Sequence, residues 1–230
     1  MTSPARRAEP DPPSPPPHVT IEGDGHTYIG AMTYAEYRRM DEASDARLEY
    51  VGGVVYATSG GTTAHDVIVG NVLTRLHGPA RKAGCRTYSQ GVKLRTPRGD
   101  EYVPDVTLVC GPRASNTAHY VEGACLVVEV LSQSTARTDM GEKRLAYQEM
   151  ESLGAYLLVE TEWRRVHRHW RDADGRWQTE EFVGDGTVPL SCPTGGVLTL
   201  AEIYEDLDLS AAPPPPPVPR LRRVREGAAV

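Results

Sequence analysis

Between Tyr102 and Tyr147 two apolar runs, EYVPDVTLVCG and ACLVVEVLSQST, each carry one interior acid, Asp105 and Glu129. Runs of this length, rich in Val and Leu, are expected to form buried strands. A lone carboxylate inside a buried strand is costly unless something pairs with it. Two of them, on strands able to lie side by side, need a shared cation or a proton. Side chains alternate along a strand, so Asp105 shares a face with Val103 and Thr107, and Glu129 with Val127 and Leu131. If the strands are neighbours, both carboxylates reach one point. Asp139 to Glu142 is a D-x-x-E helix start, and the helix is expected to run to about Glu151. On it Lys143 and Tyr147 are i, i+4 and share a face. Hard oxygen ligands of this kind suit Mg²⁺ or Mn²⁺. Such an ion activates water and neutralises charge on a phosphoryl group. A neighbouring lysine adds charge stabilisation or orients the attacking water. The plain alternatives are that Asp105 caps a turn after Pro104 and that Glu129 pairs with an arginine.

The remaining chain divides into three parts. Residues 1–28 are Pro-rich and polar and are expected to be a disordered arm. Residues 29–209 are the folded domain, and 39% hydrophobic content supports a real core. Residues 210–230 hold five consecutive prolines and then an arginine-rich end, a second disordered tail. Within the domain, Thr33 to Glu36 is a capping box with Met32 and Tyr37 as its staple. LEYV and VVYAT around Gly52-Gly53 read as a tight hairpin with Glu49 in its first arm. Ile68, Val72 and Leu76 mark an amphipathic helix of about five turns ending near Gly84. His65, in its first turn, reads as a solvated histidine, with a role in the site as the alternative. CRTYSQGVKLR reads as a strand with an irregularity at Gly91, Tyr102 to Cys110 as a second, and Ala124 to Leu131 as a third. AYLLVE is a further buried strand. WRRVHRHW and RWQTEEFV form an outer hairpin, with His167 and His169 two apart on one face that reads as solvated; the alternative is a metal pair, for which no third ligand is in view. The order of elements describes an α/β or α+β domain: a mixed sheet with helices packed on it.

Net charge is −6, which excludes a protein coated with basic residues for nonspecific nucleic-acid binding. Cys85, Cys110, Cys125 and Cys192 form no C-x-x-C pair, and no histidine stands at zinc-finger spacing, which argues against a structural zinc site. Cys110 and Cys125 lie in apolar runs and are expected to be small buried hydrophobes. No signal peptide and no membrane-spanning run are visible, so the expectation is a cytoplasmic, reduced protein.

MTYAEYRRM, RLEYVGGVVY, AHDVIVGNVLTRL, VPDVTLV, LVVEVLSQST and DMGEKRLAYQEMESLGAYLLV, in that order, resemble the Uma2 family of restriction-endonuclease-like proteins, within the PD-(D/E)XK nuclease superfamily. The likeness covers roughly residues 32–207. It implies a restriction-endonuclease-like core, a central mixed sheet flanked by helices, and Mg²⁺-dependent phosphodiester cleavage. Pro104-Asp105 matches the "PD" and Glu129 the "(D/E)". The superfamily lysine belongs two residues after the acid, where this chain has Leu131. The resemblance moves that role to Lys143 on the following helix, with Lys93 as the fallback. Glu49 matches an acidic position of the family's early hairpin, and Gln90 and Tyr147 are further neighbours.

Two function classes follow. One is a metal-dependent endonuclease acting on nucleic acid, DNA foremost, with Asp105 and Glu129 holding Mg²⁺, Lys143 aiding catalysis and Glu49 helping to hold the ion or a water. Such an enzyme cutting two strands is expected to work as a homodimer. The other is the same fold kept as an interaction or nucleic-acid-binding module with the chemistry lost.

Overall fold

A computed structural model of the chain describes residues 26–58, 60–132 and 138–209. The tails expected to be disordered lie outside the described residues, except that 26–28 begin a strand. In chain order the elements are β1 (His26–Ala31), α1 (Tyr34–Glu42), β2 (Leu48–Val51), β3 (Val54–Thr58), α2 (Thr63–Lys82), β4 (Cys85–Ser89), β5 (Lys93–Arg95), β6 (Glu101–Tyr102), β7 (Val106–Cys110), β8 (Tyr120–Val121) and β9 (Ala124–Leu131). A π-helical turn (Asp139–Lys143) follows, continued by α3 (Arg144–Gln148). Then come β10 (Ala155–Glu160), β11 (Arg165–Arg171), β12 (Trp177–Val183), β13 (Thr187–Pro189), β14 (Val197–Thr199) and α4 (Leu200–Ile203).

The mixed sheet is present twice. One six-stranded sheet has the order β1-β3-β2-β6-β5-β8, the other β12-β11-β10-β9-β7-β4. In each, one parallel pair interrupts antiparallel neighbours: β5 with β8, and β9 with β10. Local chemistry explains the hairpin between β2 and β3. Gly52 and Gly53 both have positive φ, +57° and +85°, as a two-residue turn between twisted strands requires. Thr33 and Glu36 form both halves of the capping box that opens α1.

Two expected strands prove to be crossings between the sheets. CRTYSQGVKLR splits into β4 in one sheet and β5 in the other, and the irregularity around Gly91 is the passage between them. The first acidic run splits likewise into β6 and β7, with Val103-Pro104-Asp105 as the passage back. Pro104 has no N–H to give a ladder, so a strand ends there readily. Asp105 therefore stands just before β7 rather than inside a strand. Ala124–Leu131 is a strand over the whole expected range.

Along β9 the two-residue period sorts the core. Leu126, Val128 and Val130 pack with Ile68, Val72 and Leu76 of α2. Val127 and Leu131 pack on the other side with Tyr147 and Tyr156. Glu129 is in phase with the second set, the face that α3 covers. The helix expected to reach Glu151 ends at Gln148.

The cysteines and the outer histidines depart from expectation. Cys85 is bonded to Cys110 across β4 and β7, and Cys125 to Cys192 in the segment between β13 and β14. Cys110 is exposed rather than core. His167 is half-buried and bonds Glu160 through Nε2 at 2.8 Å. His169 is buried, bonds Thr179 at 2.9 Å and stacks on Tyr156.

Burial, then the charges of Arg144 and His167, push the His169 imidazole down from 6.5 to about 4. Below pH 6.5 the unfolded chain therefore takes up a proton that the folded ring refuses until about pH 4. The folded state loses stability across that window as pH falls. Urea unfolding of the chain and of His169→Gln at pH 7 and pH 5 is expected to show a smaller acid-induced loss in the variant. Equal losses would refute the assignment.

Candidate active site

The chain crosses between the sheets through Val103, Pro104 and Asp105, and a carboxylate receives the amide on each side of the proline. Val103 N–H donates to Glu49 Oε1 at 2.9 Å, and Asp105 N–H donates to Glu129 Oε2 at 3.2 Å. Glu49 is on β2 of one sheet and Glu129 on β9 of the other. Antiparallel pairing of β7 with β9 sets Val106 opposite Val128, so Asp105 lies beside Glu129. Val130 N–H closes the pair by donating to Asp105 Oδ2 at 2.7 Å.

Lys143 enters from the π-helical turn, a helix irregularity that recurs at functional sites. Its Nζ lies 3.2 Å from Glu49 Oε1, 3.3 Å from Glu129 Oε1 and 3.3 Å from Asp139 Oδ1. Tyr147, one turn on, donates its hydroxyl to Glu129 Oε1 at 3.1 Å. The i, i+4 pairing of Lys143 and Tyr147 thus aims both at one oxygen. Lys93, the fallback lysine, is not in the site; its ammonium pairs with Asp41. Glu129 pairs with a lysine and not with an arginine.

Asp105, Glu129, Asp139 and Lys143 line one cavity of about 50 Å³. That is room for an ion or a water or two, not for a nucleotide. Glu49 does not line it and touches it through Lys143.

Three neighbours were not expected here. His65 is buried, with Nε2 3.3 Å from Asp105 Oδ2. The expectation of a solvated first-turn histidine is corrected, and the sequence held the signal. His65 precedes Val69, Val72 and Leu76 by four, seven and eleven residues, so it starts the stripe that faces the sheet. Thr62 caps α2 by accepting the His65 N–H. Asp139 was legible as a helix start but also stands four residues before Lys143, where a helix brings the two together. His26 Nε2 lies 3.2 Å from Glu49 Oε2; it falls in the span expected to be a disordered arm. Gln90, at the other crossing, donates to Asp105 Oδ1 at 2.7 Å.

Glu49, Asp105, Glu129, Asp139 and Lys143 are each 8% exposed or less. Among the described residues four carboxyl groups and one ammonium are buried here, with the His26 and His65 imidazoles against Glu49 and Asp105. Burial raises Glu49, but Lys143, His26 and the Val103 amide outweigh it and hold the carboxyl at about 2. Burial also raises Asp105, and there the His65 contact, Val130 and Gln90 win and lower it. Glu129 goes the other way. Burial and the charges of Asp139, Asp105 and Glu49 push it well up against the pull of Lys143. Burial works against the Lys143 charge, yet Glu129, Glu49 and Asp139 keep it firmly protonated. Four carboxyl groups thus crowd one ammonium and two imidazoles, and Glu129 is the one that burial and its neighbours drive toward the neutral form.

The sequence profile of the Uma2 family, described as "Putative restriction endonuclease", matches residues 34–201. The chain is 32% identical over 156 residues to "Uncharacterized protein slr1290" of Synechocystis sp., covering 67% of this chain and 82% of that protein. It is 28% identical over 160 residues to "Uncharacterized protein sll1609" of the same organism, covering 67% and 89%. A crystal structure of "a putative nuclease belonging to DUF820" from Anabaena variabilis superposes with a TM-score of 0.59 at 15% identity. It covers 70% of this chain and 91% of that one, a likeness of fold. No helix among the described residues is long and apolar enough to cross a membrane.

Proposed function

The chain belongs to the Uma2 family, and on that premise we propose that it is a metal-dependent endonuclease cutting phosphodiester bonds of nucleic acid, DNA foremost. The observation that carries this reading is the clustering of four buried carboxyl groups, three of them on one ammonium, beside a cavity with room for an ion or a water or two. A buried anionic cluster of oxygen donors is complementary to a hard divalent cation. Asp105 and Glu129 would hold Mg²⁺ or Mn²⁺, which supplies Lewis-acid activation of water and charge neutralisation at the phosphate.

The chain's own residues have separate tasks. Lys143 stabilises charge on the phosphate or orients the attacking water. Glu49 and Asp139 fix its ammonium from two other directions, which makes them positioning residues. His65 and Gln90 set the orientation of Asp105, and Tyr147 that of Glu129. Duplex cleavage takes one centre per strand, so a homodimer is the expected working form.

One observation favours a second reading, a binding module without chemistry. Both Asp105 oxygens already accept protein donors, from Gln90, Val130 and His65. Titration with Mg²⁺ and Mn²⁺, alongside plasmid and oligonucleotide cleavage with and without EDTA, separates the two. The endonuclease reading expects millimolar binding and EDTA-sensitive cleavage. Neither binding nor cleavage would leave the module.

A Cβ built on Gly61 would lie 2.6 Å from His65 Nδ1 and 3.0 Å from its Cβ. Gly61→Ala must therefore displace the imidazole from Asp105. Groups that orient a metal ligand are worth about 10- to 100-fold. Metal-dependent cleavage is expected to fall by that amount, and melting temperature is measured beside it because the displaced imidazole also leaves a buried contact of Asp105 unmade. Full activity in the variant would remove His65 from the machinery.

A further inference from the structure

The four cysteines come from β4, β7, β9 and the segment between β13 and β14, yet their sulfurs form one knot. Besides the two bonded pairs, Cys110 Sγ lies 3.4 Å from Cys125 Sγ and 3.3 Å from Cys192 Sγ. The sulfurs of Cys85, Cys110 and Cys192 all lie within 4.8 Å of one another. Two disulfides do not by themselves require contact between the pairs. Four thiolates around one tetrahedral ion do: a Zn–S bond of about 2.3 Å places neighbouring sulfurs about 3.8 Å apart. Of the four sulfur–sulfur distances between the pairs, the two from Cys110 are within half an ångström of that edge, Cys85 to Cys192 is within 4.8 Å, and reduction frees Cys85 and Cys125 to close the rest.

We propose that these cysteines, when reduced, are the four ligands of a closed structural Zn²⁺ site. Two equivalents of a dithiol reductant supply four electrons and four protons, cleaving both S–S bonds to four thiols while the reductant becomes two disulfides. Zn²⁺ binding then releases the four thiol protons to solvent. Four sulfurs complete a tetrahedron and leave no open position, so the site holds structure and does no chemistry.

Its place in the fold gives it a task. Cys110 is five residues beyond Asp105 along β7, and Cys125 four residues before Glu129 along β9. At about 3.3 Å per residue the knot lies roughly 13–16 Å from the acids, at the other end of the same two strands. It ties the edge strand β4 and the segment carrying Cys192 to the pair that aligns the two carboxylates. Gly154 fits the segment closely: its N–H donates to the Cys125 carbonyl at 2.9 Å, and an added Cβ would meet Ser191 at 3.3 Å. Spacing rules miss such a site because no two ligands are near in sequence; the bonded pairs are 25 and 67 residues apart.

The test is metal analysis of the full chain, expressed with added zinc and purified under a dithiol reductant, then washed with EDTA to clear weak carboxylate-bound ions. One Zn²⁺ per chain, released by four equivalents of a thiol-specific mercurial, is the expected result. Cys110→Ser and Cys192→Ser should each lower retained zinc at least tenfold, and the Asp105→Ala, Glu129→Ala double variant should retain it. Should the serine variants not fold, Co²⁺ added to the reduced wild-type chain decides: thiolate-to-cobalt charge-transfer and tetrahedral d–d bands support the site. Four titratable thiols with no bound zinc and no such bands would overturn it, as would zinc that leaves with the carboxylates. The outcome is independent of whether the carboxylate site cuts nucleic acid.

Discussion

Asp105→Ala is expected to lower metal-dependent cleavage by about a thousandfold or more while the chain remains folded. A bound divalent ion contributes several kcal/mol of charge stabilisation, and each 1.36 kcal/mol is tenfold in rate. On the proposed reading Asp105 is one of the two carboxylates that would hold that ion. The alanine variant also strips an acceptor from the Val130 N–H, the Gln90 amide and His65. An orphaned buried donor costs about 1–3 kcal/mol, so melting temperature must be measured beside activity. Asp105→Asn separates the two effects, because it keeps an acceptor for Val130 and loses the charge that binds metal. Asparagine that restores stability but not cleavage is the expected pattern. Cleavage at the wild-type rate in either variant, on protein free of contaminating nuclease, would end the endonuclease assignment.

Lys143→Met is expected to be the most destabilising single change in the site. Methionine fills similar volume, so the loss is of charge and not of packing. Without the ammonium, Glu49, Glu129 and Asp139 face one another in a buried space. Breaking a buried charge pair by removing one partner typically costs about 3–5 kcal/mol. At roughly 2–4 °C per kcal/mol for a chain of this size, the melting temperature should fall by about 10 °C. The sign of its pH dependence is fixed. Carboxylates stripped of their cation have folded pKa values above their unfolded ones, so the folded state binds more protons. The deficit of the variant should therefore shrink as pH falls from 7 toward 5. Millimolar Mg²⁺ should shrink it too, by filling the same need for positive charge. A variant as stable as wild type at pH 7, or one whose deficit grows on acidification, would contradict the picture of an anionic cluster held by one lysine.

Much of this site was legible because burial and charge are in open conflict in the sequence. An acid in VPDVTLV and another in LVVEVL require a partner wherever those strands go. Alternation along β9 correctly put Glu129 in phase with Val127 and Leu131. The helical period aimed Lys143 and Tyr147 together. His65 was misread because its first-turn position outweighed its place at the head of the apolar stripe. The cysteines were misread as separate buried thiols because the bonded pairs stand 25 and 67 residues apart, and only the fold brings their sulfurs together.

The sequence by itself determined the hairpin strands, β9, the capping box of α1, the glycine turn and the need of two acids for a counter-charge, since each follows from local geometry or from the cost of burying charge. The tertiary structure alone decided that CRTYSQGVKLR and EYVPDVTLVC each pass from one sheet to the other. It also decided that Glu49 and Glu129 receive amides on either side of Pro104, and that four distant sulfurs meet. Pairing between strands far apart in the chain depends on how whole sheets share a core, and no local pattern carries that information.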